Sequence, residues 1–279
     1  MTDKQRFAGK VALCTGAGRP EGLGEAILKR LAEEGCQVVV TDLGEPQTHM
    51  GSDHIGTSKE MEQVAEEIRA AGGAATTFAL DVRDEDQVEA AIAHAVAEFG
   101  ALDFLINNAG IGYLIEPVTE MAKEQWQAVL EVNLMGAFLC TKHGARQMLA
   151  QGRGGRIVNI ASEAAKSGHP HMAAYTSSKH GMLGLTRSTA IELGPHGITV
   201  NAVCPNHVTT GLGAVQNEYF ANYKNMTVDE YLADMRNRIP MGRVGLTADT
   251  ANAVAWLCSD EASYVTAQGI NVSGGAVLH

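Results

Sequence analysis

Short apolar segments alternate with helical segments along nearly the whole chain of 279 residues. Such apolar segments are typical of strands buried on both faces of a parallel sheet. Strands are predicted at 10–15, 36–42, 75–82, 102–110, 155–162, 197–205 and 269–275, and helices at 23–34, 58–71, 85–99, 122–150, 172–193 and 248–259. Since parallel strands need crossover connections, the pattern predicts one α/β domain over 1–279, with a doubly wound parallel sheet and helices on both faces.

One long segment, residues 206–247, breaks this alternation. It is polar and rich in Met, Tyr and Asn, with only a weak helical pattern around Val228–Asn237. Stretches of this length inside a compact domain are usually functional. We therefore interpret residues 206–247 as a lid over a substrate site and call this segment the lid.

Composition excludes several classes of protein. The net charge of −11 argues against a nucleic-acid partner and an anionic membrane surface. No apolar run approaches the roughly 20 residues of a membrane span, and the first ten residues lack the apolar region of a signal peptide. The five cysteines show no metal-ligand spacing, so we expect reduced structural thiols, no metal site and a cytoplasmic protein.

A glycine-rich turn, Thr15 to Gly24, follows the first predicted strand. Such a turn lets the backbone approach a pyrophosphate, which the following helix N-terminus attracts, so the sheet is predicted to be of Rossmann type. Asp42 ends the second strand, where a carboxylate accepts hydrogen bonds from both adenosine ribose hydroxyls and repels a 2′-phosphate. Arg19 is the opposing signal, because its guanidinium could hold that phosphate. The position of Asp42 outweighs it and predicts NAD.

Tyr175 and Lys179 are four residues apart on a predicted helix and therefore share a face. A Tyr phenol with a pKa near 10 is a poor base at neutral pH, and a nearby ammonium is expected to lower that pKa. Ser162 ends the fifth strand thirteen residues before Tyr175, where its hydroxyl could bind a substrate oxygen. The Tyr–Lys spacing alone is common on exposed helices, so the prediction depends on the combination.

These features resemble the short-chain dehydrogenase/reductase family, and the likeness runs over nearly the whole chain. The glycine turn is similar to TGxxxGxG, with two extra residues between Gly16 and Gly22. Residues 205–210 are similar to PGxVxT, with Asn206 in place of the usual glycine. The remaining matches are Asp81–Val82, the NNAG motif at 107–110, Asn133 in a long helix, and the set Ser162, Tyr175 and Lys179.

The resemblance implies a hydride transfer between NAD(H) and a secondary alcohol or its ketone. It implies catalytic roles for Asn133, which would hold a relay water, and for Ser162, Tyr175 and Lys179, the last also holding the nicotinamide ribose. It also implies a homo-oligomer, a tetramer or dimer, formed through the helices at 122–150 and 172–193. The implied cofactor-binding residues are Gly16, Gly18, Arg19, Gly22, Leu23, Gly24, Asp42, Asp81, Val82, Asn108, Ala109, Gly110, Tyr175, Lys179, Val208 and Thr210.

The segment Gly44–Ser58, directly after Asp42, is longer than the family usually needs. We hypothesise that it folds over the adenosine half of the cofactor and slows its exchange. The alternative is a solvated surface loop.

The substrate is predicted from polar residues near the expected pocket, chiefly Glu163, His169 and His207, with His171 and Asn206 beside them. They favour a hydroxylated substrate, and residues 239–243 and 262–272 are similar to bacterial polyol and sugar-alcohol dehydrogenases of the family. An aromatic or apolar alcohol stays open, as do a non-catalytic NAD-sensing protein and a sugar-nucleotide epimerase or dehydratase. The apolar alternative is suggested by Tyr219, Phe220, Tyr223, Met226, Tyr231 and Met235 in the lid.

Overall fold

A computed structural model describes residues 5–45, 55–112, 114–208 and 210–279, and the structural statements below refer to these residues. They form a seven-stranded sheet in the order β3-β2-β1-β4-β5-β6-β7, in which every neighbouring pair is parallel. The doubly wound Rossmann-type sheet is therefore confirmed. The strands are β1 (Val11–Cys14), β2 (Gln37–Asp42), β3 (Ala74–Ala79), β4 (Phe104–Asn107), β5 (Gly155–Ile160), β6 (Ile198–Pro205) and β7 (Gly269–Val272).

Helices cover both faces of the sheet and enclose two large apolar cores. Successive side chains of a strand point to opposite faces, so Ala12 and Cys14 of β1 enter one core while Val11 and Leu13 enter the other. The helices are α1 (Leu23–Ala32), α2 (Ser58–Ala70), α3 (Glu85–Phe99), α4 (Lys123–Leu130), α5 (Gly136–Gln151), α6 (Ala173–Leu193), α7 (Gly211–Tyr223), α8 (Val228–Arg238) and α9 (Thr247–Cys258).

Some strands and helices end earlier than the sequence pattern predicts. β3 stops at Ala79 and β4 at Asn107, so Asp81 and the last three NNAG residues lie in loops at the carboxyl edge of the sheet. The apolar pattern continues past β3 because Leu80 and Val82 are buried as well, whereas the ladder hydrogen bonds that define a strand leave no trace in composition. The predicted helix at 122–150 is also divided, since a π-helical turn, Glu131–Met135, separates α4 from α5.

The lid contains two helices, of which the sequence indicated only the second. A capping box marks the start of α8, where the Thr227 hydroxyl accepts from the Glu230 backbone and the Glu230 carboxylate accepts from the Thr227 backbone. The first lid helix, α7, was missed because its first turn contains two glycines, which disfavour helix. Tertiary contacts hold it instead: the Tyr219 hydroxyl lies 2.8 Å from Nδ1 of His171, and Nε2 of Gln216 donates to the Gly112 carbonyl at 3.1 Å.

The segment Gly44–Ser58 is described only at its ends, because residues 46–54 lie outside the described part of the chain. At those ends Gly44 and Thr57 form an isolated parallel bridge. The Gly56 N–H donates to the Asp42 carboxylate at 3.0 Å. The hypothesis that the segment covers the adenosine half of a cofactor therefore stays a prediction.

The five cysteines all lie in the described part of the chain, where they are free and buried. Their burial agrees with the predicted structural role. Among the described residues, no helix combines the length and the apolar character that crossing a membrane requires.

A chain of buried amide and hydroxyl groups connects the two central strands to the helices behind the carboxyl edge. Nδ2 of Asn107 donates to Oδ1 of Asn159 at 2.8 Å and to the Thr141 hydroxyl at 3.0 Å. Nδ2 of Asn159 in turn donates to the Thr186 hydroxyl at 2.8 Å. All four side chains are buried, so each depends on the others for its hydrogen bonds. The chain fixes β4, β5, α5 and α6 relative to one another.

Replacing the middle of this chain should destabilise the fold. Asn159→Ala leaves polar groups of Asn107 and Thr186 without their partner and opens a small cavity, and we expect a loss of about 3 kcal/mol in the free energy of unfolding. Urea denaturation at neutral pH measures it. The control is Asn252→Ala on the exposed face of α9, where only a bond from Arg30 is lost and a change within about 0.5 kcal/mol is expected. A loss below about 1 kcal/mol for Asn159→Ala would contradict this account.

Candidate active site

A cavity of about 1090 Å³ opens at the carboxyl edge of the sheet. It lies outside the point where the strand order reverses, between β1 and β4, where open α/β sheets bind ligands. Of the predicted site residues, only Gly18, Gly24 and Asn133 are missing from its wall. The wall includes Gly16, Arg19, Gly22, Leu23, Asp42, Asp81, Val82, Asn108, Ala109, Gly110, Val208 and Thr210, and beyond them Ser162, Glu163, His169, Tyr175, Lys179 and His207.

The glycine turn brings its backbone into close contact with two neighbours. Gly16 has φ +63°, and a Cβ there would lie 2.8 Å from Cα of Ala109. A Cβ on Gly24 would lie 2.7 Å from Cα of Ala17, so Gly24 packs α1 against the turn instead of lining the cavity. The N-terminus of α1, at Gly22, has no side-chain cap. The turn thus offers backbone N–H groups at a helix N-terminus, as a pyrophosphate requires.

The loop after β4 is fastened to this turn. The Thr15 hydroxyl accepts from the backbone N–H groups of Asn108 and Ala109 at 3.1 and 3.0 Å. The Asn108 side-chain amide donates to the carbonyls of Thr15 and Gly16 at 2.9 and 2.8 Å. Asn108 therefore holds the turn in place, and its predicted position beside the cofactor cleft agrees with these contacts.

Asp42 is buried at the end of β2, and its carboxylate is held by backbone N–H groups. Gly18 and Leu43 donate to it at 3.0 and 2.9 Å, and Gly56 donates at 3.0 Å. Burial raises the pKa of Asp42, while the three N–H groups and the nearby charge of Arg19 act in the opposite direction. A carboxylate has about four lone-pair sites. With three of these sites occupied by backbone N–H groups, one lone-pair site of the Asp42 carboxylate remains for a further donor such as a ribose hydroxyl.

Tyr175 and Lys179 lie on consecutive turns of α6 in the cavity wall, where Lys179 is buried and Tyr175 half-buried. Nζ of Lys179 donates to the Ile160 carbonyl at 2.7 Å and lies 5.6 Å from the centroid of the Tyr175 ring. Burial lowers the pKa of Lys179 to about 8. The Ile160 carbonyl was not predicted as a partner, since a backbone acceptor leaves no signal in the sequence.

The pKa of Tyr175 is shifted upward, not downward as the sequence led us to expect. Burial raises it most, and the negative charge of Glu163 raises it further. A hydrogen bond with the Ser162 side chain lowers the same pKa. The expectation was wrong because it considered the ammonium of Lys179 and left out the desolvation of the phenol.

Asn133 lies in the π-helical turn and is fully buried instead of lining the cavity. Its side-chain amide donates to the Ile111 carbonyl at 2.9 Å and to the Ser178 hydroxyl at 3.1 Å, and its Oδ1 accepts from the Ile111 N–H at 2.8 Å. The side chain thus connects the loop after β4 to α6. This placement makes Asn133 a positioning residue, and the relay water stays a prediction.

The polar residues predicted to meet a substrate lie at the far end of the cavity. Ser162 caps a short 3₁₀ turn, Glu163–Ala165, and its hydroxyl accepts from the Ala164 N–H at 3.1 Å. His169 and His207 both have a pKa lowered by burial, so both imidazoles are neutral near pH 7. His171 is not in the wall; it contacts Tyr219 of the lid.

The sequence missed three polar residues that the lid helices bring to the cavity. They are Gln216 and Lys224, at α7 and its C-terminal cap, and Arg238, at the end of α8. The capping box at Thr227 was the available signal for α8 and hence for its last turn. Among the described residues, no group of three or more His, Cys, Asp or Glu is arranged to hold a metal ion.

This chain is similar in sequence to known proteins along nearly its whole length. A family model described as enoyl-(acyl carrier protein) reductase matches residues 16–277. The 3-oxoacyl-[acyl-carrier-protein] reductase FabG of Staphylococcus aureus is 39% identical over 269 residues, which cover 96% of this chain and 98% of that protein.

Solved structures agree in fold and differ in what they bind. Carveol dehydrogenase from Mycobacterium avium, in complex with NAD, has a TM-score of 0.90 and 32% identity, covering 99% of this chain and 100% of its own. An NAD⁺-bound xylitol dehydrogenase has a TM-score of 0.87 and 34% identity over 96% and 99% of the two chains. An actinorhodin polyketide ketoreductase with NADPH has a TM-score of 0.86 and 38% identity over 97% and 98%. The chain therefore belongs to the short-chain dehydrogenase/reductase family of oxidoreductases.

Proposed function

We propose that the protein transfers a hydride between NAD(H) and a secondary alcohol or its ketone. The observation that carries this proposal is the grouping of Ser162, Tyr175 and Lys179 in one wall of a cavity whose other end is the glycine turn. A nicotinamide dinucleotide spans such a crevice, with its pyrophosphate at the N-terminus of α1. When bound, it supplies the hydride acceptor or donor.

The residues of this chain would then orient the alcohol and move its proton. The Ser162 hydroxyl holds the substrate oxygen beside the phenol of Tyr175. In the oxidising direction Tyr175 removes the hydroxyl proton, and in the reducing direction it returns one. Lys179, with its amine bonded to the Ile160 carbonyl, supplies positive charge below its pKa of about 8 and favours the tyrosinate. Asn133 holds α6 and the loop after β4 in register for this arrangement.

The choice of NAD over its phosphorylated form rests on Asp42. Its carboxylate is fixed by three backbone N–H groups at the end of β2, where a 2′-phosphate would meet a negative charge. Arg19 lies in the same wall and is the group that could accept the phosphate. The similar proteins carry NAD in two cases and NADPH in one, so they favour neither form decisively.

For the substrate we propose a polar, hydroxylated molecule such as a polyol or a sugar. The support is the set of polar side chains at the catalytic end of the cavity, Glu163, His169, Asn206 and His207, and the likeness to a xylitol dehydrogenase. A second candidate is an apolar or aromatic alcohol. The lid favours it, since Phe220, Tyr223, Tyr231 and Met235 line the same cavity, and carveol dehydrogenase is similar in fold.

Two further expectations belong to this proposal. A cofactor-sensing protein without activity would have no need of Ser162, Tyr175 and Lys179 at the cofactor cleft, and so we favour an enzyme.

We also propose a homo-oligomer. The outer faces of α5 and α6 carry exposed apolar side chains, among them Phe138, Leu149 and Ile191, which a second copy would cover.

Removing the phenol oxygen should abolish turnover without unfolding the protein. For Tyr175→Phe we expect kcat to fall by about 100- to 10,000-fold, because proton transfer by a positioned group contributes a factor of that size. NADH formation over a panel of polyols, sugars, aromatic alcohols and hydroxy acids measures it. Tyr264→Phe, at a fully exposed tyrosine, is the matched control. The mechanism is wrong if Tyr175→Phe keeps turnover within a few-fold of the parent, and the proposed function is wrong if no substrate of the panel reduces NAD or NADP.

Removing the carboxylate at the end of β2 should weaken the discrimination between cofactors. For Asp42→Ala we expect the ratio of kcat/KM with NAD to that with NADP to fall by about ten- to a hundredfold, the worth of a hydrogen bond to a charged group. Arg19→Ala should shift the ratio in the opposite direction if the guanidinium holds the phosphate. A parent enzyme that prefers NADP, or an unchanged ratio in Asp42→Ala, would overturn the assignment of NAD.

A further inference from the structure

The Glu163 carboxylate faces the cavity without a hydrogen-bond donor among the described residues. Its side chain is 23% exposed, and among the described residues the nearest side-chain nitrogen of a histidine, lysine or arginine is Nε2 of the neutral His169, 3.9 Å from Oε1. That distance is too long for a hydrogen bond. Glu163 directly follows Ser162, whose hydroxyl bonds to Tyr175. A partly buried acceptor therefore lies beside the proposed catalytic group.

Three buried carboxylates among the described residues, those of Asp42, Asp103 and Glu34, have donors or ion-pair partners, in contrast to Glu163. Asp42 accepts from three backbone N–H groups, and Asp103 accepts from Val11 N–H at 3.0 Å and from Arg153 at 2.8 Å. Glu34 is paired with Arg6 and with a second arginine, one turn away on α1. A carboxylate withdrawn from water without a partner costs free energy that a bound donor would recover. Glu163 is thus an acceptor that a ligand could satisfy.

The charges around the cavity restrict what that ligand can be. Lys224 and Arg238 also line the wall, and both are paired with Asp234, at 3.6 and 3.1 Å. The positive charges of Lys224 and Arg238 would repel a cationic ligand, and the negative charge of Glu163 would repel an anionic one. A neutral hydroxyl is compatible with both kinds of charge, because the same group donates a hydrogen bond to a carboxylate and accepts one from a cationic side chain.

The neighbouring positions of Ser162 and Glu163 restrict where the hydroxyl must be. Both residues line the same cavity, and the charge of Glu163 acts on the phenol of Tyr175, to which Ser162 is hydrogen-bonded, so the Glu163 carboxylate lies near the atom that reacts. We propose that Glu163 determines specificity for vicinal diols: Ser162 and Tyr175 bind the oxygen that reacts, and the Glu163 carboxylate accepts a hydrogen bond from the hydroxyl on the adjacent carbon. This inference rests on the proposed function and narrows its substrate class.

The test compares pairs of alcohols that differ in one hydroxyl. Vicinal cyclohexanediol is paired with cyclohexanol, and vicinal butanediol with secondary butanol, each with saturating NAD. We expect the parent enzyme to favour the diol of each pair in kcat/KM. In Glu163→Gln this diol-to-alcohol ratio should fall by about 5- to 10-fold, because the neutral amide oxygen accepts a weaker hydrogen bond than the carboxylate does. Glu218→Gln, which removes the same charge from an exposed position of α7, should keep the ratio of the parent.

A second measurement separates this role from a merely structural one. The negative charge of Glu163 raises the pKa of Tyr175, so its removal should lower that pKa. In Glu163→Gln the pH at which kcat/KM for the simple alcohol reaches half its maximum should therefore move to lower pH. A general loosening of the site would lower the rate without moving the profile in this direction.

Three results would overturn the inference. A parent enzyme that oxidises the simple alcohol of each pair as well as the diol would remove Glu163 from specificity and leave the proposed function standing. A preference for analogues with an ammonium in place of the second hydroxyl would show that the carboxylate serves a cation. If Tyr175→Phe and the parent are equally inactive over the whole substrate panel, the proposed function itself fails, and the inference falls with it.

Discussion

The parallel arrangement of the sheet is the constraint on which the rest of the structure depends. It directs the carboxyl end of each strand to one edge, and the reversal of strand order beside β1 opens a crevice there. Residues as distant in sequence as Asp42, Ser162 and His207 meet in one cavity for this reason. The buried amides of Asn107 and Asn159 keep β4 and β5 in register with the helices behind them.

Burial then sets the electrostatics of the catalytic end. Desolvation raises the pKa of Tyr175 and lowers that of Lys179 to about 8, so each group is displaced toward its neutral form. Two hydrogen bonds limit this effect, one between Tyr175 and Ser162 and one from Lys179 to the Ile160 carbonyl. The site is therefore tuned less by the Tyr–Lys pair alone than by what surrounds it. Family membership fixes the class of chemistry.

The lid gives the cavity two characters. Its aromatic and Met side chains supply an apolar covering, while Lys224 and Arg238 add positive charge to the cavity wall, and the charge of Arg238 acts on the Glu163 carboxylate. The contact between His171 and Tyr219 fixes α7 over that opening. The polar and the apolar lining of this part of the cavity thus come from elements outside the regular alternation of strand and helix.

The sequence by itself determined the sheet, the glycine turn, the acid at the end of the second strand and the Tyr–Lys spacing, because each is a local pattern within one or two elements. It did not determine which residues reach the cavity. Asn133 is buried against Ile111, Gly24 packs inside the turn, and α7 forms despite weak propensity. Only the tertiary structure decided these outcomes and the direction of the Tyr175 pKa shift, since burial and hydrogen-bond partners come from segments far apart in the chain.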